Sequence, residues 1–219
     1  MLLRGAIFLL SKNLNYLFRR CLNAKYIHSG NSADYAIERS GKHLYIFFEW
    51  SDGCRDWKNN LDFPARAYSS GEENWFVHRG FLRVWKSIRD DIRFSVDTLL
   101  KNRQITEIIC VGYSHGAALA GLATEDMMFV HGDKIKISGF GFGCPRFIWG
   151  KLPRSVSERF SVFTAIRNIP DIVTHLPPAF LLYSHPTPIL KIGEKGKYTP
   201  IRAHFPESYL AETKKYSFI

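Results

Sequence analysis

The chain has 219 residues, carries 30 Lys and Arg against 20 Asp and Glu for a formal net charge of +10, and is 46% hydrophobic and 15% aromatic. This composition supplies a packed core and excludes a disordered or fibrous chain, and the length suits a single α/β unit. The basic residues are scattered with no run of five, so no nucleic acid is expected as a partner, and the charge fits an anionic membrane surface better.

At the N-terminus, Met1-Leu2-Leu3-Arg4 precedes a short apolar run that Lys12 interrupts. The run falls well below the about 20 apolar residues that span a bilayer, and no small-x-small cleavage site follows it. Leu3, Ile7, Leu10, Leu14, Leu17 and Phe18 recur at helical spacing, which predicts an amphipathic helix packed on the domain, with attachment to a membrane surface as the alternative. A cytoplasmic or membrane-peripheral location is expected, and the weakly signal-like start leaves secretion open. The chain is expected to be one domain over 1–219, with an N-terminal helical segment at 1–40 and a catalytic core at 41–215.

The next elements alternate. His43 to Trp50 is apolar on both faces and predicts a central strand. After a polar, turn-rich stretch, Phe81, Val84, Trp85, Ile88, Ile92 and Val96 recur at three and four residues, so a long helix is expected from about Gly80. Thr106 to Val111 is a second buried strand, the Ala- and Leu-rich stretch His115 to Val130 a helix, and Lys134 to Phe142 a third strand. Phe160 to Ile166, Ile189 to Ile192 and a final helix over Pro206 to Lys215 complete the series. Alternating strands and helices predict an α/β fold with a mostly parallel central sheet and helices on both faces.

Within this frame, Gly112-Tyr113-Ser114-His115-Gly116 leaves a strand and opens a helix. That is the context of the G-x-S-x-G elbow, a strained turn that lifts a serine hydroxyl above the sheet and aims helix N-terminal N–H groups at developing negative charge. A serine hydroxyl needs a base and the base needs an orienting acid, in the chain order Ser, Asp, His for this fold. Asp171 follows the strand ending at Ile166, at the edge where such sheets gather their catalytic groups. His204, in the loop before the last helix, is favoured as the base over His185, which precedes a short strand.

The remaining clusters point elsewhere. Gly139-Phe140-Gly141-Phe142-Gly143 lacks the G-x-G-x-x-G spacing of a dinucleotide loop. Cys21, Cys54, Cys110 and Cys144 form no C-x-x-C pair, and the eight histidines give no i, i+4 pair, so no metal or cofactor is expected. Four free thiols are the plainer reading, with a Cys54–Cys144 bridge left open.

These residues together resemble the class 3 lipases, the fungal triacylglycerol lipases and their relatives. The family elbow G-H-S-L-G-G-A-L-A is similar to Gly112-Tyr113-Ser114-His115-Gly116-Ala117-Ala118-Leu119-Ala120. Val77-His78-Arg79-Gly80-Phe81 is similar to V-H-x-G-F, and Gly141-Phe142-Gly143-Cys144-Pro145-Arg146 partly matches T-F-G-x-P-R. Asn168-Ile169-Pro170-Asp171-Ile172-Val173-Thr174-His175-Leu176-Pro177-Pro178 reproduces the family acid loop, and Tyr183-Ser184-His185 its Y-x-H. The resemblance covers roughly residues 40 to 210. It implies an α/β-hydrolase fold and an ester hydrolase acting on lipid or acylglycerol esters, with phospholipase or small-ester esterase as alternatives and a non-catalytic binding member as a further one. It implies the triad Ser114, Asp171 and His204, a structural place for His185, and an oxyanion hole from the backbone N–H groups of Ser51 and His115. Glu49-Trp50 stands where the family has Arg-Gly before that serine. A lid would fall within 54–77, where Trp57, Leu61 and Phe63 could close over an acyl pocket or pack as a fixed loop. The physiological ester and the oligomeric state are not implied.

Overall fold

A computed structural model describes residues 13–28, 34–50, 62–71, 73–101 and 104–216. Ten strands belong to the described residues: β1 (Tyr35–Ser40), β2 (His43–Phe48), β3 (Ala65–Tyr68), β4 (Trp75–His78), β5 (Glu107–Tyr113), β6 (Lys136–Phe142), β7 (Ile148–Trp149), β8 (Phe163–Asn168), β9 (Tyr183–Ser184) and β10 (Leu190–Ile192). Five α-helices accompany them: α1 (Leu14–Leu22), α2 (Arg79–Lys101), α3 (His115–His131), α4 (Arg154–Phe160) and α5 (Pro206–Thr213).

The main sheet runs in the order β1-β2-β5-β6-β8-β10, antiparallel between β1 and β2 and parallel from there on. Side-chain alternation along the central strands builds two cores. Leu44, Ile46, Phe48, Ile108 and Cys110 face α2, α3 and α4, whereas Tyr45, Phe47, Ile109, Val111 and Tyr113 face α1 and α5. A sheet covered on both faces explains why its strands read as unbroken apolar runs.

The described part of the N-terminal segment begins with a helix that packs on the domain. Leu14, Leu17, Phe18 and Cys21 of α1 are buried, and Phe18 lies against Phe142 and Tyr209. Leu3, Ile7 and Leu10 lie outside the described residues. Two expectations need correction. The segment 1–40 is not helical throughout, because Tyr35–Ser40 is the edge strand β1. The stretch from Phe160 does not begin a strand: Phe160 closes α4, Ser161 and Val162 turn, and β8 starts at Phe163.

A second sheet, β3-β4-β7-β9, is antiparallel throughout. It takes up part of the stretch expected to hold a lid. Phe63 precedes β3 and its carbonyl accepts the Tyr183 hydroxyl of β9, so this end is fixed rather than loose. Trp57 and Leu61 lie outside the described residues, as do Ser51 and Cys54. Cys21, Cys110 and Cys144 are buried free thiols, and burial pushes the Cys144 and Cys110 thiols above their usual range.

Candidate active site

The turn between β5 and α3 positions Ser114. Its backbone sits at φ 55° and ψ −120°, in the left-handed half of the map where a side chain costs about 1–3 kcal/mol of strain. The strain is held in place by packing from both sides. A Cβ on Gly112 would collide with the Gly116 carbonyl, and one on Gly116 would collide with the Phe48 carbonyl of β2. The Ser114 N–H is tied to the Phe142 carbonyl of β6 at 2.9 Å. His115 opens α3, so its N–H belongs to the positive end of a 17-residue helix.

Asp171 and His204 reach Ser114 from the loops after β8 and before α5. His204 Nε2 lies 2.9 Å from Ser114 Oγ, and His204 Nδ1 lies 2.8 Å from Asp171 Oδ2. A carboxylate only accepts, so the Nδ1 position carries the proton and Nε2 is left to accept from the serine hydroxyl. Asp171 is fully buried, and its oxygens are met by further donors: the Val173 N–H at 2.9 Å on Oδ1 and the Tyr209 hydroxyl at 2.6 Å on Oδ2. The Tyr209 hydroxyl in turn accepts from the Asn168 N–H at 3.0 Å. Burial, with the Asp171 charge beside it, holds the Tyr209 hydroxyl well above its ordinary range, so it stays a donor.

His204 is fixed by its backbone as well as its ring. The Tyr113 hydroxyl donates to the His204 carbonyl, and the Tyr113 ring stacks on the imidazole at 5.3 Å. Asn168 Nδ2 donates to the preceding carbonyl, that of Ala203, at 3.1 Å. Gly143, at φ +59°, backs the ring: a Cβ there would stand 2.9 Å from His204 Cε1.

The rival histidines do other things. His185 Nε2 donates to the Cys144 carbonyl at 2.9 Å, and burial drives its pKa down to about 4, so it is a neutral structural ring. His175 Nε2 accepts from Arg167 at 3.1 Å. His78 is a buried ring stacked on Phe81. Burial also lowers the His115 side chain to about 4.

A cleft of about 330 Å³ opens over Ser114 and His204. Trp50, Phe63, Phe81, Tyr113, Pro145, Val173, Leu176, Pro177, Phe205 and Pro206 line it, a largely apolar wall around Ser114, His115 and His204. Such a wall suits a hydrocarbon chain. Of the five residues expected at the site, Ser114, His115, Asp171 and His204 are brought together, and Ser51 lies outside the described residues. Tyr209, Tyr113 and Gly143 were not read from the sequence as parts of the site. The signal for Tyr209 was its position soon after His204, on the helix that follows the base.

The parallel sheet, the strained serine turn and the groups at the strand ends define an α/β-hydrolase fold. The family described as Lipase (class 3) matches residues 45–181, and the chain belongs to that family. His204 lies beyond the matched span, and its place beside Ser114 is a feature of the structure. The lipase of Rhizomucor miehei is 27% identical over 157 residues, covering 67% of this chain and 40% of that protein. The secreted mono- and diacylglycerol lipase A of Penicillium cyclopium is 24% identical over 153 residues, covering 70% of this chain and 49% of that one. The matched segments thus span less than half the length of these relatives. Among solved structures, lipase II from Rhizopus niveus has a TM-score of 0.61 at 24% identity, over 75% of this chain and 62% of that one. A fungal lipase–inhibitor complex has a TM-score of 0.64 at 17% identity, over 96% of each chain. These structures share the fold.

Proposed function

We propose that this protein is a serine hydrolase of lipid esters, with Ser114, His204 and Asp171 as its catalytic residues. The observation that carries the reading is the unbroken hydrogen-bonded series from Asp171 through His204 to Ser114 at the floor of an apolar cleft. Ser114 Oγ attacks the ester carbonyl while His204 Nε2 takes its proton. The C–O bond to the alcohol then breaks as His204 returns that proton to the leaving oxygen, and water repeats the sequence on the acyl-enzyme. Asp171 keeps the imidazole in the required tautomer and stabilises its charged form. The His115 N–H, at the start of α3, stabilises the oxyanion, with the Ser51 N–H as its partner.

The enzyme works at a lipid surface. Leu176, Phe180, Leu182, Ile201 and Phe205 are exposed apolar side chains on the loops that form the cleft and its surroundings, and the chain has a net charge of +10. Exposed apolar groups together with a basic surface favour docking on an anionic membrane from the aqueous side. Among the described residues no helix is long and apolar enough to cross a membrane. The test is hydrolysis of acylglycerol and nitrophenyl esters by the intact chain. Ser114→Ala should lower the rate by a factor on the order of 10⁶ if the three residues act as a unit. A Ser114→Ala protein as active as the parent would remove the assignment.

A further inference from the structure

The family span of 45–181 leaves out both α1 and α5, and these helices lie side by side on one face of the main sheet. Asn15 of α1 links them. Its Nδ2 donates to the Leu210 carbonyl at 3.0 Å and to the Thr213 hydroxyl at 2.9 Å, and that hydroxyl donates to the Tyr209 carbonyl at 2.7 Å. A guanidinium only donates, so the Arg19 Nε contact at 2.9 Å engages the other end of the amide, Oδ1, and fixes which way Asn15 faces. The Asn15–Thr213 bond is buried, where an unmade polar contact costs most, so the seating of α1 on α5 is specified.

Phe18, three residues further along α1, is fully buried. Its ring meets Tyr113 edge-on at 5.3 Å between centroids, Phe142 at 4.7 Å and Tyr209 at 5.7 Å. Each of these residues holds one member of the proposed triad. The Tyr113 hydroxyl donates to the His204 carbonyl, the Tyr209 hydroxyl donates to Asp171, and the Phe142 carbonyl accepts the Ser114 N–H. Phe18 is not among the residues that line the cleft. Ile92 of α2 is equally buried but belongs to the core on the opposite face of the sheet.

We infer that α1 positions the triad: Phe18 is the shared packing stop for the residues that hold Ser114, His204 and Asp171, and Asn15 keeps α5 seated against it. Phe18 is a positioning residue, acting through Tyr113, Phe142 and Tyr209. Interiors are close-packed and transmit displacement, so a cavity at residue 18 lets the two tyrosine rings shift and carries their hydroxyls with them. A misplacement of about 1 Å at a reacting group costs about 100-fold in rate. This inference rests on the hydrolase reading and adds to it the element that orders its residues.

The experiment compares Phe18→Ala, Phe18→Leu and Ile92→Ala with the parent, each in the full chain and below its melting transition. Two quantities are read per folded molecule: kcat and KM for nitrophenyl butyrate, and the rate at which a fluorophosphonate labels Ser114. Both alanine variants leave a cavity and should melt earlier than the parent. Only Phe18→Ala should lose chemistry, with kcat and the labelling rate each falling about tenfold or more and KM within twofold of the parent. Phe18→Leu restores most of the volume, so its rates should lie between those of Phe18→Ala and the parent. If Phe18→Ala does not fold, Phe18→Leu and Asn15→Ala take its place, and each should lower both rates by about threefold or more. Parent-like rates in the folded variants at residue 18 make Phe18 a core residue alone and overturn the inference, with the hydrolase reading intact. A fall in Ile92→Ala as large as that in Phe18→Ala overturns it too, because lost stability is then the cause. A parent that neither cleaves the ester nor takes the probe on Ser114 removes both readings.

Discussion

The hydroxyl of Tyr209 donates to the same Asp171 oxygen, Oδ2, that accepts from His204 Nδ1. One oxygen of a buried carboxylate is thereby held between a tyrosine on α5 and the proposed base. The tyrosine itself is pinned by the Asn168 N–H at the end of β8. The loop carrying His204 and the helix after it are therefore registered on the sheet through the acid.

Tyr209→Phe removes that donor and keeps the ring in the core beside Phe18 and Tyr113. A hydrogen bond to a charged group contributes about 1.5–3 kcal/mol. Chemical denaturation should show a loss of this size, and kcat should fall about tenfold because the imidazole is less firmly oriented. An unchanged kcat with lowered stability would make Tyr209 a packing residue alone.

Gly143→Ala places a methyl group 2.9 Å from His204 Cε1 and forces a positive φ on an alanine. Gly150, at φ +70°, has open space around it and provides a control for the backbone strain. Both substitutions should cost about 1 kcal/mol or more in stability. Only Gly143→Ala should also lower kcat, by about 100-fold if the ring shifts by an ångström. Equal loss of activity in the two variants would show that strain, not the ring, is responsible.

His185 and His204 should separate cleanly. His204→Gln abolishes proton transfer, so ester hydrolysis should fall by about 10⁴-fold or more. His185→Gln can still donate to the Cys144 carbonyl and should retain most activity at neutral pH. It should differ in acid. The His185 pKa falls from its ordinary 6.5 to about 4 on folding, so between those values the unfolded chain binds a proton that the folded protein does not. Stability from this group is therefore present above pH 6.5 and is lost as the pH falls from 6.5 towards 4. His185→Gln should flatten the decline in unfolding free energy over that window.

Arg159→Ala tests the core under the site. Arg159 Nε lies 2.6 Å from Glu125 Oε1, and Ser70 donates to the same buried oxygen at 2.6 Å. Burial raises the Glu125 carboxyl above its ordinary value while these two partners oppose the rise. Removing the guanidinium leaves a buried carboxylate with less compensation, at a cost of about 3–5 kcal/mol at neutral pH. A raised carboxyl pKa means the folded state holds the proton longer, so stability falls as the pH rises through that range. The Arg159→Ala deficit should shrink as the pH is lowered towards 4.5.

Much of this was legible beforehand because the chemistry that defines it is local. Gly112 to Gly116 announces the turn by residue type, and the unbroken apolar runs at 44–48 and 108–111 announce a sheet covered on both faces. The acid loop at 168–178 was legible as a motif. The second sheet was not, because β7 and β9 are two residues long and exist only through partners distant in sequence. Tyr35–Ser40 escaped because its outer half, from Ile37, is only partly buried or exposed, which leaves no apolar run to mark an edge strand. The junction at Phe160 was misread because that residue is as buried at the end of a helix as it would be at the start of a strand. Tyr209 gave only its place after His204, since a single aromatic on a short helix is indistinguishable from core until its hydroxyl is seen against Asp171.

The central claim is that Ser114 is activated by His204. Fluorophosphonate labelling of the intact chain, read as one phosphonyl adduct per molecule by mass and located by peptide fragmentation, tests it directly. The account predicts an adduct on Ser114, lost in Ser114→Ala and strongly slowed in His204→Gln. An unlabelled parent protein, or an adduct on another residue that persists in Ser114→Ala, would contradict it.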